Sequence, residues 1–193
     1  MKKIINHYEI FKKTIKIPGD IVECGVFKGN SLTRFTIFRD LLIGSKKKVY
    51  GFDVFGKFPN QKNSADNKFA QNHDKQIGIG INYSLIKKNF RNKKFRNFSL
   101  IKGPVEKTLK DFVFKNNRLN ISFLHLDLDV YNPTYSAFEL LFPRVSKGGV
   151  ILIDDYGKVQ GATKATNDYF SNNKIKLKIQ STKFDKKLKF VIK

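Results

Sequence analysis

Apolar residues along this chain fall into two spacings, short continuous runs and stripes recurring every three or four positions, and the two alternate from start to finish. Continuous runs bounded by turn residues predict strands, and stripes predict amphipathic helices. The runs are Ile21 to Cys24, Val49 to Phe52, Phe98 to Ile101, Phe123 to Leu128 and Val150 to Ile153. Two of them, Phe123-Leu124-His125-Leu126-Asp127-Leu128-Asp129 and Val150-Ile151-Leu152-Ile153-Asp154-Asp155, are apolar almost throughout and end in acids. Such runs read as central strands of a parallel sheet, covered by helices on both faces.

The stripes predict a first helix over residues 4–15, stopped by the turn Ile17-Pro18-Gly19-Asp20. A second helix starts near Gly29-Asn30-Ser31 and turns Leu32, Phe35, Phe38, Leu41 and Leu42 inward. Further helices run from Asn82 to Phe90, Pro104 to Phe114, Pro133 to Phe142 and Thr163 to Phe170. Alternating runs at Ile175–Ile179 and Leu188–Ile192 predict a closing hairpin at the sheet edge. The expected fold class is α/β, a doubly wound, mostly parallel Rossmann-like sheet with a C-terminal antiparallel hairpin. Between residues 54 and 80 the periodicity lapses into Asn, Lys and Gln with Pro59, Gly78 and Gly80, the pattern of a lid or a disordered insertion inside one domain spanning 1–193.

Composition changes this picture little. A chain of 193 residues with 40% hydrophobic content can bury one sizeable core. The basic start Met1-Lys2-Lys3 is followed by apolar residues broken by Asn6, His7, Glu9, Lys12 and Lys13, which make no export signal, and no stretch is long enough to span a membrane. The single Cys24 has no partner for an internal disulfide, and a cytoplasmic setting is expected. The formal charge of +22 invites a nucleic-acid reading. The lysines are scattered rather than gathered in a stripe, so the expectation is a solvated basic surface that attracts an anionic small molecule, with no nucleic-acid partner. Assembly into a homo-oligomer is left open.

The chemistry concentrates at the strand ends. In an open α/β sheet, ligands bind outside the carboxyl ends of the strands. Asp127, Asp129, Asp154 and Asp155 would converge there, and carboxylates in a group repel unless a cation sits among them. Hard oxygen donors without a His/Cys cluster favour magnesium over zinc. The stretch Val22-Glu23-Cys24-Gly25 followed by Gly29-Asn30-Ser31 reads as strand, glycine turn and helix start, which suits an approaching anion. It lacks the G-x-G-x-x-G spacing of a dinucleotide site. Asp53, ending the second strand, stands where an acid accepts from a ribose diol. Together these features describe a nucleoside carrying an amino-acid-like end. Asp129 is expected in a capping or supporting role, and His125 as a hydrogen-bonded core histidine. Tyr131 and Tyr156 are expected to wall the pocket, and His73 to lie in the lid.

Four stretches, GDIVECGVFKGNS at 19–31, GFDVFGKFP at 51–59, FLHLDLDVYNPT at 123–134 and GGVILIDDYG at 148–157, resemble the macrocin O-methyltransferase family of the TylF/MycF/NovP type. The resemblance implies a class I methyltransferase that moves a methyl group from S-adenosylmethionine to a sugar hydroxyl with magnesium. It implies that Glu23, Gly25 and Ser31 line the methionine end of the cofactor, that Asp53 holds its ribose, and that Asp127, Asp154 and Asp155 bind the metal, Asp127 also acting as general base. The acceptor would be a nucleotide-activated or glycan-linked deoxyhexose. Family members commonly carry a longer N-terminal region, so a compact relative would rely on residues 54–80 for closure. Alternatives are a methyltransferase for catechol-like phenols, a basic RNA-binding protein or RNA methyltransferase, and a binding module that has lost catalysis.

Overall fold

A computed structural model describes all residues from Met1 to Lys193. Helix α1 (Lys2–Lys12) leads into β1 (Asp20–Cys24), then α2 (Asn30–Ile43) and β2 (Val49–Asp53). Two helices follow, α3 (Ser64–Gln76) and α4 (Tyr83–Asn92), before β3 (Phe98–Lys102), α5 (Val105–Lys115) and β4 (Ile121–Leu126). The chain finishes with α6 (Tyr131–Leu141), β5 (Val145–Ile153), α7 (Gln160–Asn172), β6 (Gln180–Ser181) and β7 (Lys189–Ile192). The seven strands form one sheet in the order β3-β2-β1-β4-β5-β7-β6, with β1 to β5 parallel and β7 antiparallel to both neighbours. The order in which strands are added reverses at the β1/β4 boundary, with β2 and β3 laid down to one side and β5 to the other, which is where an α/β sheet opens a crevice.

Side chains alternate across the strands, and this divides the core in two. Val22, Cys24, Leu124, Leu126, Ile151 and Ile153 face one side, packed with Leu109, Phe138, Leu141 and Phe170 from α5, α6 and α7. Ile21, Phe123, Val150 and Leu152 face the other, packed with Ile10, Phe11, Phe35, Ile86 and Phe90 from α1, α2 and α4. Both faces of β1, β4 and β5 are thereby buried, as their unbroken apolar runs require. No helix is long and apolar enough to cross a membrane.

The departures from expectation are local. The first helix stops at Lys12 rather than 15. Leu41, expected inside, is 76% exposed. The buried stripe of α2 is Leu32, Phe35, Thr36 and Arg39, with Phe38 beside it, so an arginine takes the inward slot. Its guanidinium is accommodated because Nη1 donates to the carbonyls of Lys47 and Asn97 and Nη2 to that of Arg96, with Asp40 as counter-ion. Periodicity alone has no means of reading an arginine as core. Residues 54–80 contain the 13-residue helix α3, whose start is capped by the Asn63 side chain accepting from the backbone of Ala65 and Asp66. Residues 175–179 form no strand, and the edge hairpin is reduced to Gln180–Ser181 against β7.

Candidate functional site

Over the carboxyl ends of β1, β2 and β4 lies a cavity of about 830 Å3. Gly25, Asp53, Asp127, Asp129 and Asp154 line it from the sheet, and Phe58 to Lys62 with His73, Asp74 and Ile77 line it from the 54–80 segment. Lys3 of α1 closes the acidic end, and Pro104 to Lys107, at the start of α5, close the other.

Gly25 has φ +91°, and a Cβ there would sit 1.8 Å from the carbonyl oxygen of Asp127. The glycine is required less by a ligand than by the loop after β4, which passes against it. Asp127 N–H to Cys24 O at 2.9 Å ties the loop after β4 to the end of β1, and Gly25 N–H to Phe52 O at 2.9 Å ties the glycine turn to β2. Asp53 completes the turn: its Oδ2 accepts from the N–H groups of Val26 and Phe27, each at 2.8 Å, and its Oδ1 from Phe55 N–H at 2.6 Å. A carboxylate offers about four acceptor positions, so one on Oδ1 is left for a hydroxyl in the cavity.

Glu23 and Ser31 lie behind this wall rather than in the cavity lining. Glu23 is fully buried. Its Oε1 accepts from Ser31 Oγ at 2.8 Å, which ties the first turn of α2 to β1, and its Oε2 lies 3.1 Å from His125 Nδ1. Glu23 and His125 are paired neighbours on β1 and β4. His125 is the buried core histidine expected, and its carboxylate partner is the neighbour that a sequence run conceals.

At the far end, Asp127, Asp154 and Asp155 bring one carboxylate oxygen each within 4.8 Å of one another. Asp154 N–H bonds Leu126 O at 3.0 Å, which carries β5 alongside β4 to the point where both chains end in acids. Asp155 Oδ2 accepts from the Asp129 N–H at 3.2 Å, and Asp129 sits at φ +62°. Asp129 is thus a turn residue that organises Asp155, in the supporting role expected.

Burial, reinforced by Asp155 and Asp154, pushes the Asp127 carboxyl well above the ordinary carboxylate range. Burial with Asp129 and Asp154 raises Asp155 to about 8, and burial with Asp127 and Asp154 raises Asp129 to about 7. Burial also opposes ionisation of Asp154, but His125, Lys3 and Lys158 outweigh it and hold this carboxyl below its usual value. Lys3 Nζ lies 3.0 Å from Asp154 Oδ2 and Lys158 Nζ 3.6 Å. The cluster therefore carries a demand for positive charge that two lysines meet only at one edge. Three hard oxygen donors within reach of one point fit a small divalent cation.

A profile of macrocin-O-methyltransferases (TylF) matches residues 3–188, nearly the whole chain. The chain belongs to the macrocin-O-methyltransferase family. Two curated relatives are 26% identical over 162 residues, covering 79% of this chain: the demethyldecarbamoylnovobiocin O-methyltransferase of Streptomyces niveus and the 8-demethyl-8-(2,3-dimethoxy-alpha-L-rhamnosyl)-tetracenomycin-C 4'-O-methyltransferase of Streptomyces olivaceus. This TylF-family chain spans 58% of the length of each. Among solved structures, the O-methyltransferase NovP superposes with a TM-score of 0.86 at 22% identity, covering 100% of this chain and 79% of that one. The calicheamicin methyltransferase CalS11 superposes with a TM-score of 0.74 at 20% identity, covering 98% of this chain and 78% of that one. The class I methyltransferase fold expected from the motifs is the one observed.

Several side chains of this TylF-family site were not singled out from sequence. Lys3 and His7 of α1 reach the acidic end, and nothing in a basic N-terminal stripe marks them. Leu128, Asn132, Pro133 and Ser136 line the cavity where Tyr131 and Tyr156 were expected. The Tyr131 hydroxyl instead donates to Asp168 and that of Tyr156 to Asn167, so both tyrosines point away into α7. His73 does line the cavity, edge-on to Phe27 and Phe58.

Proposed function

We propose that this TylF-family protein is an S-adenosylmethionine-dependent O-methyltransferase acting on a sugar hydroxyl, with a divalent cation, magnesium by donor type, at Asp127, Asp154 and Asp155. The observation that carries the reading is the sharing of one cavity by a glycine turn over β1, a ribose-suited acid on β2 and Asp127 and Asp154 beyond β4 and β5, which cluster with Asp155. The names of the two curated relatives, both O-methyltransferases and one naming a rhamnosyl acceptor, support the substrate class.

In this reading Asp53 takes a hydroxyl of the donor's ribose on its remaining acceptor site, while Gly25 lets the loop run close to the donor. Glu23 and Ser31 act from behind the wall, fixing the strand end and the helix start that frame the methionine portion. A bound cation would supply polarisation of an acceptor hydroxyl, lowering its pKa. Asp127, in the cavity beside the other acids, accepts the proton as the hydroxyl oxygen bonds to the methyl carbon and the carbon–sulfur bond breaks. Holding the reacting atoms in line contributes much of the rate, and general-base help about 10² to 10⁴. Residues 54–80, which supply one wall, act as a lid over donor and acceptor.

Incubation with labelled S-adenosylmethionine and panels of nucleotide sugars, vicinal phenols and RNA, each with magnesium or chelator, tests the proposal. Label on a sugar only with magnesium is expected. Label on a phenol or on RNA, or transfer to a sugar untouched by chelator, would replace it.

A further inference from the structure

Three fully or almost fully buried side chains meet between α1, β4 and β5. One nitrogen from each of His7 and His125 and one oxygen of Asp154 lie within 4.8 Å of one another. Both histidines are 0% exposed and Asp154 only 5%. Arg34 Nη1 lies 2.9 Å from His7 Nδ1, and Glu23 Oε2 lies 3.1 Å from His125 Nδ1, so it is Nε2 of each ring that faces the cluster. Those two nitrogens and Asp154 Oδ1 have no hydrogen-bond partner. Buried polar groups without partners are rare, and three at one point require a common guest or a shared purpose.

Donor and acceptor roles identify the guest. A guanidinium only donates, so His7 Nδ1 accepts from Arg34 and His7 Nε2 carries the proton. A metal ion would need a lone pair there, which excludes it. Asp154 Oδ1 only accepts. Held between the carboxylates of Glu23 and Asp154, His125 is an imidazolium with a proton on each ring nitrogen, Nδ1 facing Glu23 Oε2 at 3.1 Å and Nε2 facing the cluster. One water molecule satisfies all three atoms, accepting from His7 and His125 and donating to Asp154, the three hydrogen bonds typical of a buried water.

We propose that His125 is a positioning residue for methyl transfer, bound at Nδ1 to Glu23 behind the glycine turn and at Nε2, through one buried water shared with His7, to Asp154 of the acid cluster. The line then runs from the Ser31–Glu23 hydrogen bond through the Glu23–His125 ion pair and the water to Asp154 and Lys3. It joins the parts of the site that hold donor and cation, and fixes the Asp154 carboxylate from the side opposite the cavity. The proposal rests on the functional reading above. Carboxylate–histidine support of a ligating group costs about 10- to 100-fold in affinity or activity when removed.

Two variants separate the arms. In His125→Asn the amide nitrogen reaches the Nδ1 position and keeps Glu23 but not the water. In His125→Gln it reaches the Nε2 position and keeps the water but not Glu23. S-adenosylmethionine affinity is measured by calorimetry, Mn2+ affinity by electron paramagnetic resonance, and folding by circular dichroism. His125→Asn is expected to bind S-adenosylmethionine within about twofold of the wild type and Mn2+ about tenfold more weakly, and His125→Gln the reverse. Both affinities unchanged in both variants, or both weakened together, would overturn the proposal. If the wild-type chain takes up no Mn2+, the metal reading fails by itself. The proposal is then decided by S-adenosylmethionine alone: weakened in His125→Gln and intact in His125→Asn upholds it, and equal values overturn it.

Discussion

Replacing Gly25 by alanine puts the packing of the two loops to a quantitative test. Two costs add at this position. An L-residue at φ +91° is strained by about 1–3 kcal/mol. The new Cβ would also lie 1.8 Å from the Asp127 carbonyl oxygen and 2.6 Å from its carbon, both backbone atoms that no side-chain rotation can clear. Forcing the loops apart costs a further 1–3 kcal/mol, as overpacking typically does. A total of about 2–6 kcal/mol is a large share of the 5–15 kcal/mol that holds a domain of this kind together. With a urea slope of about 2 kcal/mol per molar, the unfolding midpoint should fall by about 1–3 M. Gly157→Ala is the control, because its φ of +79° carries similar backbone strain while nothing lies within 4 Å of the new Cβ. It should cost only the strain, about 1–3 kcal/mol. The same displacement moves Asp127, and a shift of about 1 Å in a positioned group costs about 100-fold in turnover. Urea titration followed by circular dichroism, alongside methyl-transfer assays, reads both effects. Equal midpoints and equal turnover in the two variants would refute the close-approach argument.

Three further outcomes are expected. Arg39→Met keeps the buried aliphatic stem but strands the carbonyls of Lys47, Arg96 and Asn97, and should lower stability by about 3–5 kcal/mol in urea unfolding, with Arg39→Lys intermediate. Asp53→Asn turns an amide N–H2 toward backbone donors, so it should cost about 1–3 kcal/mol and weaken S-adenosylmethionine binding in calorimetry while leaving Mn2+ uptake unchanged. In chelator the melting temperature should fall from pH 6.5 to 8.5: Asp129 and Asp155 hold protons in the folded chain up to about 7 and 8, while the unfolded chain has released them above about 4, so the folded state binds more protons and loses stability as pH rises. The window avoids His7, which burial and His125 depress to about 2 and whose contribution is lost only as pH falls below 6.5. A melting temperature that rises across this window would contradict the assignment.

Much of this was written in local patterns. The central strands were legible because β1, β4 and β5 are covered on both faces, so their apolar runs are nearly unbroken. The aspartates could be placed at one edge because parallel strands end on the same side of a sheet. What escaped was non-local. Arg39 is core only because three carbonyls from the loops before β2 and β3 converge on it, and no residue near it in the chain announces them. The role of Gly25 was seen, but its cause was assigned to a ligand rather than to the Asp127 backbone across the β1/β4 boundary. Lys3 and His7 look like ordinary members of a basic helix until α1 packs beside β5. The closing antiparallel hairpin is present, but its first strand is Gln180–Ser181 rather than 175–179, because alternation between Ile175 and Ile179 arises without the partner strand that pairing requires.

The account stands most directly on cation uptake at the end of β4 and β5. Mn2+ titration followed by electron paramagnetic resonance, with S-adenosylmethionine present, should show one tight site per chain that Mg2+ displaces and that vanishes in Asp154→Asn/Asp155→Asn with the fold intact. Absence of a tight site in the wild type, or its survival in the double variant, would contradict it.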